Sequence, residues 1–202
     1  MEVNGRFEYQ DAGVDTVLSG EPSTVGNPRP KIIVRGNNNS IRFGEGVNLG
    51  STKLLIDGDG CSVLIGDRVR IQGNIQVKGM GAVVEIMEGT TFEPVNIVAL
   101  DGRAVRIGED CMFSYGCEVR SGDGHPVFDL DTKERINGSR DVEIRNHVWV
   151  GAHCSILKGV TIEEGCIVGT RSVVSRSLQQ AHCAYAGSPA RLVRANIKWA
   201  RK

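Results

Sequence analysis

A histidine stands in the run Ser121-Gly122-Asp123-Gly124-His125-Pro126-Val127-Phe128-Asp129, fixed between a glycine and a proline. Imidazole titrates near neutral pH, so a loop histidine suits the removal of a proton from a hydroxyl. Asp123 or Asp129 could orient the ring or raise its basicity. The plainer alternative is a histidine that only hydrogen-bonds its own loop. His147 and His153 lie six positions apart, which puts them on adjoining faces of any three-sided repeat. A metal reading would need His125 or His182 as a third partner.

Charge and sulfur narrow the ligand classes. The formal net charge is zero and the pI is near 6.9, so no global field gathers nucleic acid or anionic lipid. The distribution is uneven: Arg171, Arg176, Arg191, Arg194, Lys198, Arg201 and Lys202 follow Cys166 with no acidic residue among them, while the first segment is acidic. A basic end suits a phosphorylated small molecule, or it pairs with the acidic N-terminus. Of the six cysteines, Cys111, Cys117, Cys154 and Cys166 each fall four places after an in-phase apolar residue. They read as small corner-filling core residues, and no zinc-finger spacing occurs. No secretory signal or bilayer-length apolar run is present in the sequence, so a cytoplasmic location is expected.

The element that must position these groups is a repeat of six. Ile144, Val150, Ile156, Ile162, Val168 and Val174 are evenly spaced, and the phase extends upstream as Ile107-Phe113-Val119, Ile86-Phe92-Val98 and Ile65-Ile71-Val77. This period fits neither a helix nor an ordinary strand. Each triplet predicts one coil of three sides that buries its apolar residues only by stacking on the next. Coils begin twenty-one residues apart before the excursion and eighteen after Ile144, so three extra residues must bulge at a corner. The expected fold is an all-β parallel solenoid over residues 31–187.

Three segments break the rhythm. Residues 1–30, with Pro22, Pro28 and Pro30, read as an N-terminal extension that caps the first coil. Residues 120–141 form a polar excursion at a coil corner, the kind of loop that carries chemistry on a regular scaffold. Residues 188–202 predict a short helix, with Ser188 as N-cap, Pro189 at its first turn, and Val193, Ile197 and Ala200 on one side.

The tract Ile144 to Val174 resembles the hexapeptide repeat of left-handed β-helix acyltransferases. Gly187-Ser188-Pro189-Ala190-Arg191 is similar to the closure after their last coil. Asp123-Gly124-His125-Pro126, Arg135-Ile136-Asn137 and Val148-Trp149-Val150-Gly151 resemble bacterial capsular and surface polysaccharide O-acetyltransferases. The resemblance spans about residues 31 to 199.

It implies direct acetyl transfer from acetyl-CoA to a sugar hydroxyl, with His125 as general base. Trp149 would lie at the thioester end, its indole N–H or backbone N–H groups meeting the charge that develops on the carbonyl oxygen. The rival role for Trp149 is subunit packing. Coenzyme A would follow a groove between protomers along Gly151-Ala152 and Gly169-Thr170 and past Ser188, its phosphates near Arg171 and Arg191, with Arg194 or Lys198 within reach. A homotrimer is implied.

Three other readings stand beside this one. A small acceptor, such as a free sugar, serine, an antibiotic or a nucleotide-linked amino sugar, would need the same scaffold. A zinc-dependent carbonic anhydrase would need three converging histidines. A non-catalytic scaffold leaves the His125 loop and basic tail without a purpose.

Overall fold

The computed structural model describes residues 7–24 and 28–201, together with the backbone of 2–4. The chain winds into a three-sided parallel β-helix whose faces hold nine, seven and six strands. Each coil visits the nine-stranded face first, the seven-stranded face second and the six-stranded face third. In the fifth coil these are Val95–Leu100, Ala104–Ile107 and Met112–Phe113.

The predicted phase becomes three inward columns. On the nine-stranded face Ile32, Leu54, Ile75, Ile97, Val119, Ile156 and Val174 stack in register, all buried. Ile65, Ile86, Ile107, Ile144 and Ile162 line the second face, and Phe92, Phe113, Val150, Val168 and Tyr185 the third. Phe92 and Phe113 stack with ring centroids 4.7 Å apart. Alternation along each strand sends every second side chain inward, so the two-residue strands of the narrow coils bury one apolar residue each, while the longer strands of the wide coils bury two, as in Leu54/Ile56 and Val63/Ile65. The cysteines fill corners as expected: all six are free and buried. Cys117 and Cys154 donate to the carbonyls of Gly151 and Gly169 in the following coil.

The extra residues of the wide coils collect at one edge, between the nine- and seven-stranded faces, at Gly58-Asp59-Gly60, Gly79-Met80-Gly81 and Asp101-Gly102-Arg103. Gly60, Gly81 and Gly102 have positive φ there. The excursion leaves the prism at this same edge. Below it the edge tightens to Lys158-Gly159, and the coils shorten to eighteen residues.

Three expectations are corrected. The described part of residues 1–30 forms a further coil instead of a cap: Phe7–Asp11 runs parallel to Lys31–Arg35, and Val17–Ser19 runs parallel to Ser40–Phe43. Val77 and Val98 leave the predicted row: Ile75 and Ile97 carry it, Val77 is buried two places on and pairs with Ile56 and Ala99, and Val98 pairs with Gln76 and Arg120. The corner after Phe92 is one residue shorter than that after Phe113.

The described part of the tail, 188–201, holds no helix. Arg191–Arg194 is a strand antiparallel to Ala184–Ala186, and Ser188 sits in the turn between them rather than at an N-cap. Residues 197–201 then climb the edge between the seven- and six-stranded faces. Ile197 N donates to His182, Trp199 Nε1 donates to the His147 carbonyl, and Arg201 reaches Asp110, Thr91 and Cys111. The open edge of Ala184–Ala186 offers unpaired backbone groups, and the side chains of Trp199 and Arg201 find partners along this path; Val193, meanwhile, is 68% exposed and has no apolar face to join.

Candidate active site

The excursion is a stemmed hairpin. Arg140 N donates to the Ser121 carbonyl at 2.8 Å and closes the neck. Beyond it, Phe128 and Arg135 form an antiparallel bridge, and the Asp129 carboxylate accepts from the backbone N–H groups of Asp131 and Thr132, capping the turn. Asn137 is the hub. Its Nδ2 donates to Asp123 Oδ2 at 2.8 Å and to the His125 carbonyl at 2.9 Å, while its Oδ1 accepts from Val127 N at 2.7 Å.

Two neighbouring coils grip this loop. From below, Lys158 Nζ pairs with Asp123 and donates to the Asn137 carbonyl at 2.9 Å. From above, Asp101 accepts from Ser139 Oγ at 2.8 Å and Arg135 at 3.0 Å. The Lys158 hydrogen bond holds the Asp123 carboxyl below its ordinary range, and the Ser139 hydrogen bond lowers that of Asp101.

The backbone of His125 is therefore fixed, while its ring is exposed and has no hydrogen-bond partner among the described residues. Neither carboxylate orients it, contrary to expectation. Asp123 is committed to Lys158 and Asn137, and Asp129 to its own turn. The sequence singles out Asn137 only as part of the Arg135-Ile136-Asn137 motif, with no role, and does not signal Lys158, because their partners lie ten or more positions away.

Trp149 projects from the six-stranded face between Met112 and Ile167, tilted against Trp199 with centroids 6.1 Å apart. The ring is half-buried. Its Nε1 is buried and makes no hydrogen bond among the described residues, an arrangement that costs about 1–3 kcal/mol. His147 stacks on Trp199 at 4.0 Å, its Nδ1 2.7 Å from Asp110 and its Nε2 3.1 Å from the Trp199 carbonyl. Burial pushes the Asp110 carboxyl up, but the hydrogen bonds of His147 and Arg201 outweigh this and leave it lowered. His153 belongs to a different edge, that between the six- and nine-stranded faces, where it packs edge-on against Tyr115.

That third edge gathers Gly151, Ala152, Gly169, Thr170 and Arg171 on consecutive rungs, with the Gly187-Ser188-Pro189-Ala190 turn directly below: Gly187 N donates to Ser172 Oγ and Ala190 N to the Val173 carbonyl. Gly151 is small for a packing reason, since a Cβ there would lie 2.7 Å from Thr170 N. Backbone N–H groups of Ala152 and Thr170 make no hydrogen bond among the described residues, and the Arg171 guanidinium is exposed and unpaired there. The edge therefore offers a rising line of amide donors above a free cation. Arg191, also exposed, donates only to the Ala190 carbonyl. No hydrogen bond or ring contact joins His125 to Trp149 or to this edge, which borders the nine-stranded face on the side opposite the excursion.

The family pattern "Bacterial transferase hexapeptide (six repeats)" matches residues 141–176. A polysialic acid O-acetyltransferase of Neisseria meningitidis is 34% identical over 198 residues, covering 98% of this chain and 92% of that protein. The chain belongs to the hexapeptide-repeat O-acetyltransferases. A second relative of this enzyme, the polysialic acid O-acetyltransferase of Escherichia coli O1:K1 / APEC, is 38% identical over 66% of the chain and 45% of its own length. Among solved structures, the polysialic acid O-acetyltransferase OatWY superposes with a TM-score of 0.90 at 35% identity, covering 96% of the enzyme and 92% of that chain. The polySia-specific acetyltransferase NeuO superposes with a TM-score of 0.88 at 33% identity, covering 98% and 91%. No helix among the described residues is long and apolar enough to cross a membrane.

Proposed function

We propose that this O-acetyltransferase moves an acetyl group from acetyl-CoA to a hydroxyl of polysialic acid or a similar acidic surface polysaccharide, in the cytoplasm, as a homotrimer with its sites between protomers. The relatives' names support the acceptor class. One observation carries the assembly: His125 and the amide-lined edge flank opposite sides of the same face, so one protomer's imidazole meets a neighbour's edge more readily than its own. The hairpin is also apolar where it projects, with Val127, Phe128, Leu130 and Ile136 each at least half exposed.

Acetyl-CoA supplies an activated acyl thioester. Ala152 and Thr170 N–H groups suit the amide carbonyls of its pantetheine arm, and Arg171 and Arg191 suit its phosphates, with Gly151, Gly169 and Ser188 shaping the edge. The unpartnered ring of His125 accepts the hydroxyl proton as that oxygen bonds to the acyl carbon, and returns it to the departing sulfur. Trp149 Nε1 is a donor without an acceptor among the described residues, which suits a role toward the acyl oxygen after a small shift of the ring.

The test offers acetyl-CoA with sialic acid oligomers, neutral oligosaccharides, free sugars, serine and amino sugars, following thiol release and product mass. Thiol release with the acidic oligomers and a mass gain of one acetyl group is the expected result. Release only with a small acceptor would move the enzyme to the small-molecule class.

A further inference from the structure

On the six-stranded face, toward the N-terminal end from Trp149, lies a cleft of about 400 Å³. Its outer wall continues the column that carries Trp149: Asn48, Arg70, Thr91, Met112 and Trp149 pair rung by rung and point the same way. Two guanidinium groups line the cleft, and they differ in commitment. Arg201 is consumed by Asp110 at 2.6 Å, Thr91 Oγ1 at 2.8 Å and the Cys111 carbonyl at 2.6 Å. Arg70 is exposed, and its guanidinium has no hydrogen-bond or ion-pair partner among the described residues.

We propose that this cleft binds an acidic sugar of the acceptor chain, beyond the residue being acetylated, through a carboxylate paired with Arg70. The planar guanidinium fork matches a carboxylate, and the surrounding groups match a polyhydroxylated ring. Asn48 Nδ2, Gln72 and Ser114 have donors to spare, and the exposed Glu93 carboxylate accepts from hydroxyls. Arg70 stands three rungs from Trp149, about 14 Å at the spacing of paired strands. A single sugar ring is shorter than that span, so only an acceptor of linked sugars engages both places. The inference rests on the polysaccharide reading and adds to it the place on the scaffold where the acceptor's charge is read.

The test is calorimetric titration of the assembled protein with a short sialic acid oligomer, with the same oligomer after reduction of its carboxyls, and with free sialic acid. The acidic oligomer is expected to bind roughly 10- to 100-fold more tightly than the reduced one. Arg70→Ala should abolish that difference and Arg70→Lys should restore part of it, while free sialic acid should bind the unaltered protein more weakly than the oligomer. An undiminished preference in Arg70→Ala, no binding of the oligomer to the unaltered protein, or a change of oligomeric mass in Arg70→Ala would each overturn the proposal, the last by making the cleft a subunit contact. Thiol release measured on the same preparations separates the two readings: Arg70-dependent binding without acetyl transfer defeats the catalytic reading alone, and transfer with Arg70-independent binding defeats the cleft alone.

Discussion

Lys158, on the first narrow coil, holds the Asp123 carboxylate at the root of the excursion thirty-five positions upstream. The pair fastens the histidine loop to a rung that the loop itself does not form. Lys158→Met should leave the prism intact and free one side of the loop. With Asp123 half exposed, the pair is worth about 1 kcal/mol or less, so turnover is expected to fall up to roughly fivefold with little change in melting temperature. The folded pKa of Asp123 lies below its unfolded value, so its contribution is present above about pH 4 and disappears as pH falls through the lower folded value. Limited proteolysis across that range should show the excursion opening before the prism melts.

His125→Ala removes an exposed ring with no partner, so stability should be unchanged. If His125 is the base, turnover drops about 10²- to 10⁴-fold while acetyl-CoA binding stays near normal. Unchanged turnover would remove His125 from the reaction.

Leu130, 84% exposed at the hairpin tip, is expected to meet a neighbouring protomer. Leu130→Asp places a charge in that contact and should shift the mass measured by light scattering toward the monomer, with loss of turnover. A trimer that survives the change with full activity would put the interface elsewhere.

Trp199, 6% exposed, stacks on His147 and closes over the edge beside Trp149. Trp199→Ala should destabilise the protein by about 3–5 kcal/mol, read from denaturant unfolding. Trp199→Phe should recover much of this loss by retaining the stack.

Burial pushes the Cys111 thiol up to about 12 and that of Cys117 to about 11. A thiol reagent at pH 8 should leave the native protein unlabelled and modify all six cysteines after denaturation. Because unfolded thiols ionise near pH 8.5, the folded state holds more protons above that value. Stability should therefore decline as pH rises through 9.

The repeat was legible wherever the inward residue is a large aliphatic and the corner between faces has a constant length, as from Ile144 to Val174. It failed where either condition lapses. Tyr9 and Leu18 occupy core-facing positions of the N-terminal coil but are only partly buried and obey no six-residue count. At Val98 a corner shortened by one residue moved the phase. Trp199 and Arg201 looked like the end of a helix because their partners, His147 and Asp110, are distant in sequence. His125 stood out through its glycine and proline neighbours, whereas the Arg135-Ile136-Asn137 motif carried a resemblance without a role, because Asn137 meets the His125 carbonyl only once the hairpin folds.

The neck closed by Ser121 and Arg140 separates two kinds of inheritance. Pairing of Val105 with Val142 and Ile107 with Ile144 carries the ladder past the excursion without a gap, so the prism is indifferent to what hangs from that neck. A segment between 122 and 139 can be exchanged as a cassette, provided that Asp101 and Lys158 still find counterparts. Exchange of what hangs from this neck thus needs no redesign of the prism, whose ladder runs past the opening unbroken.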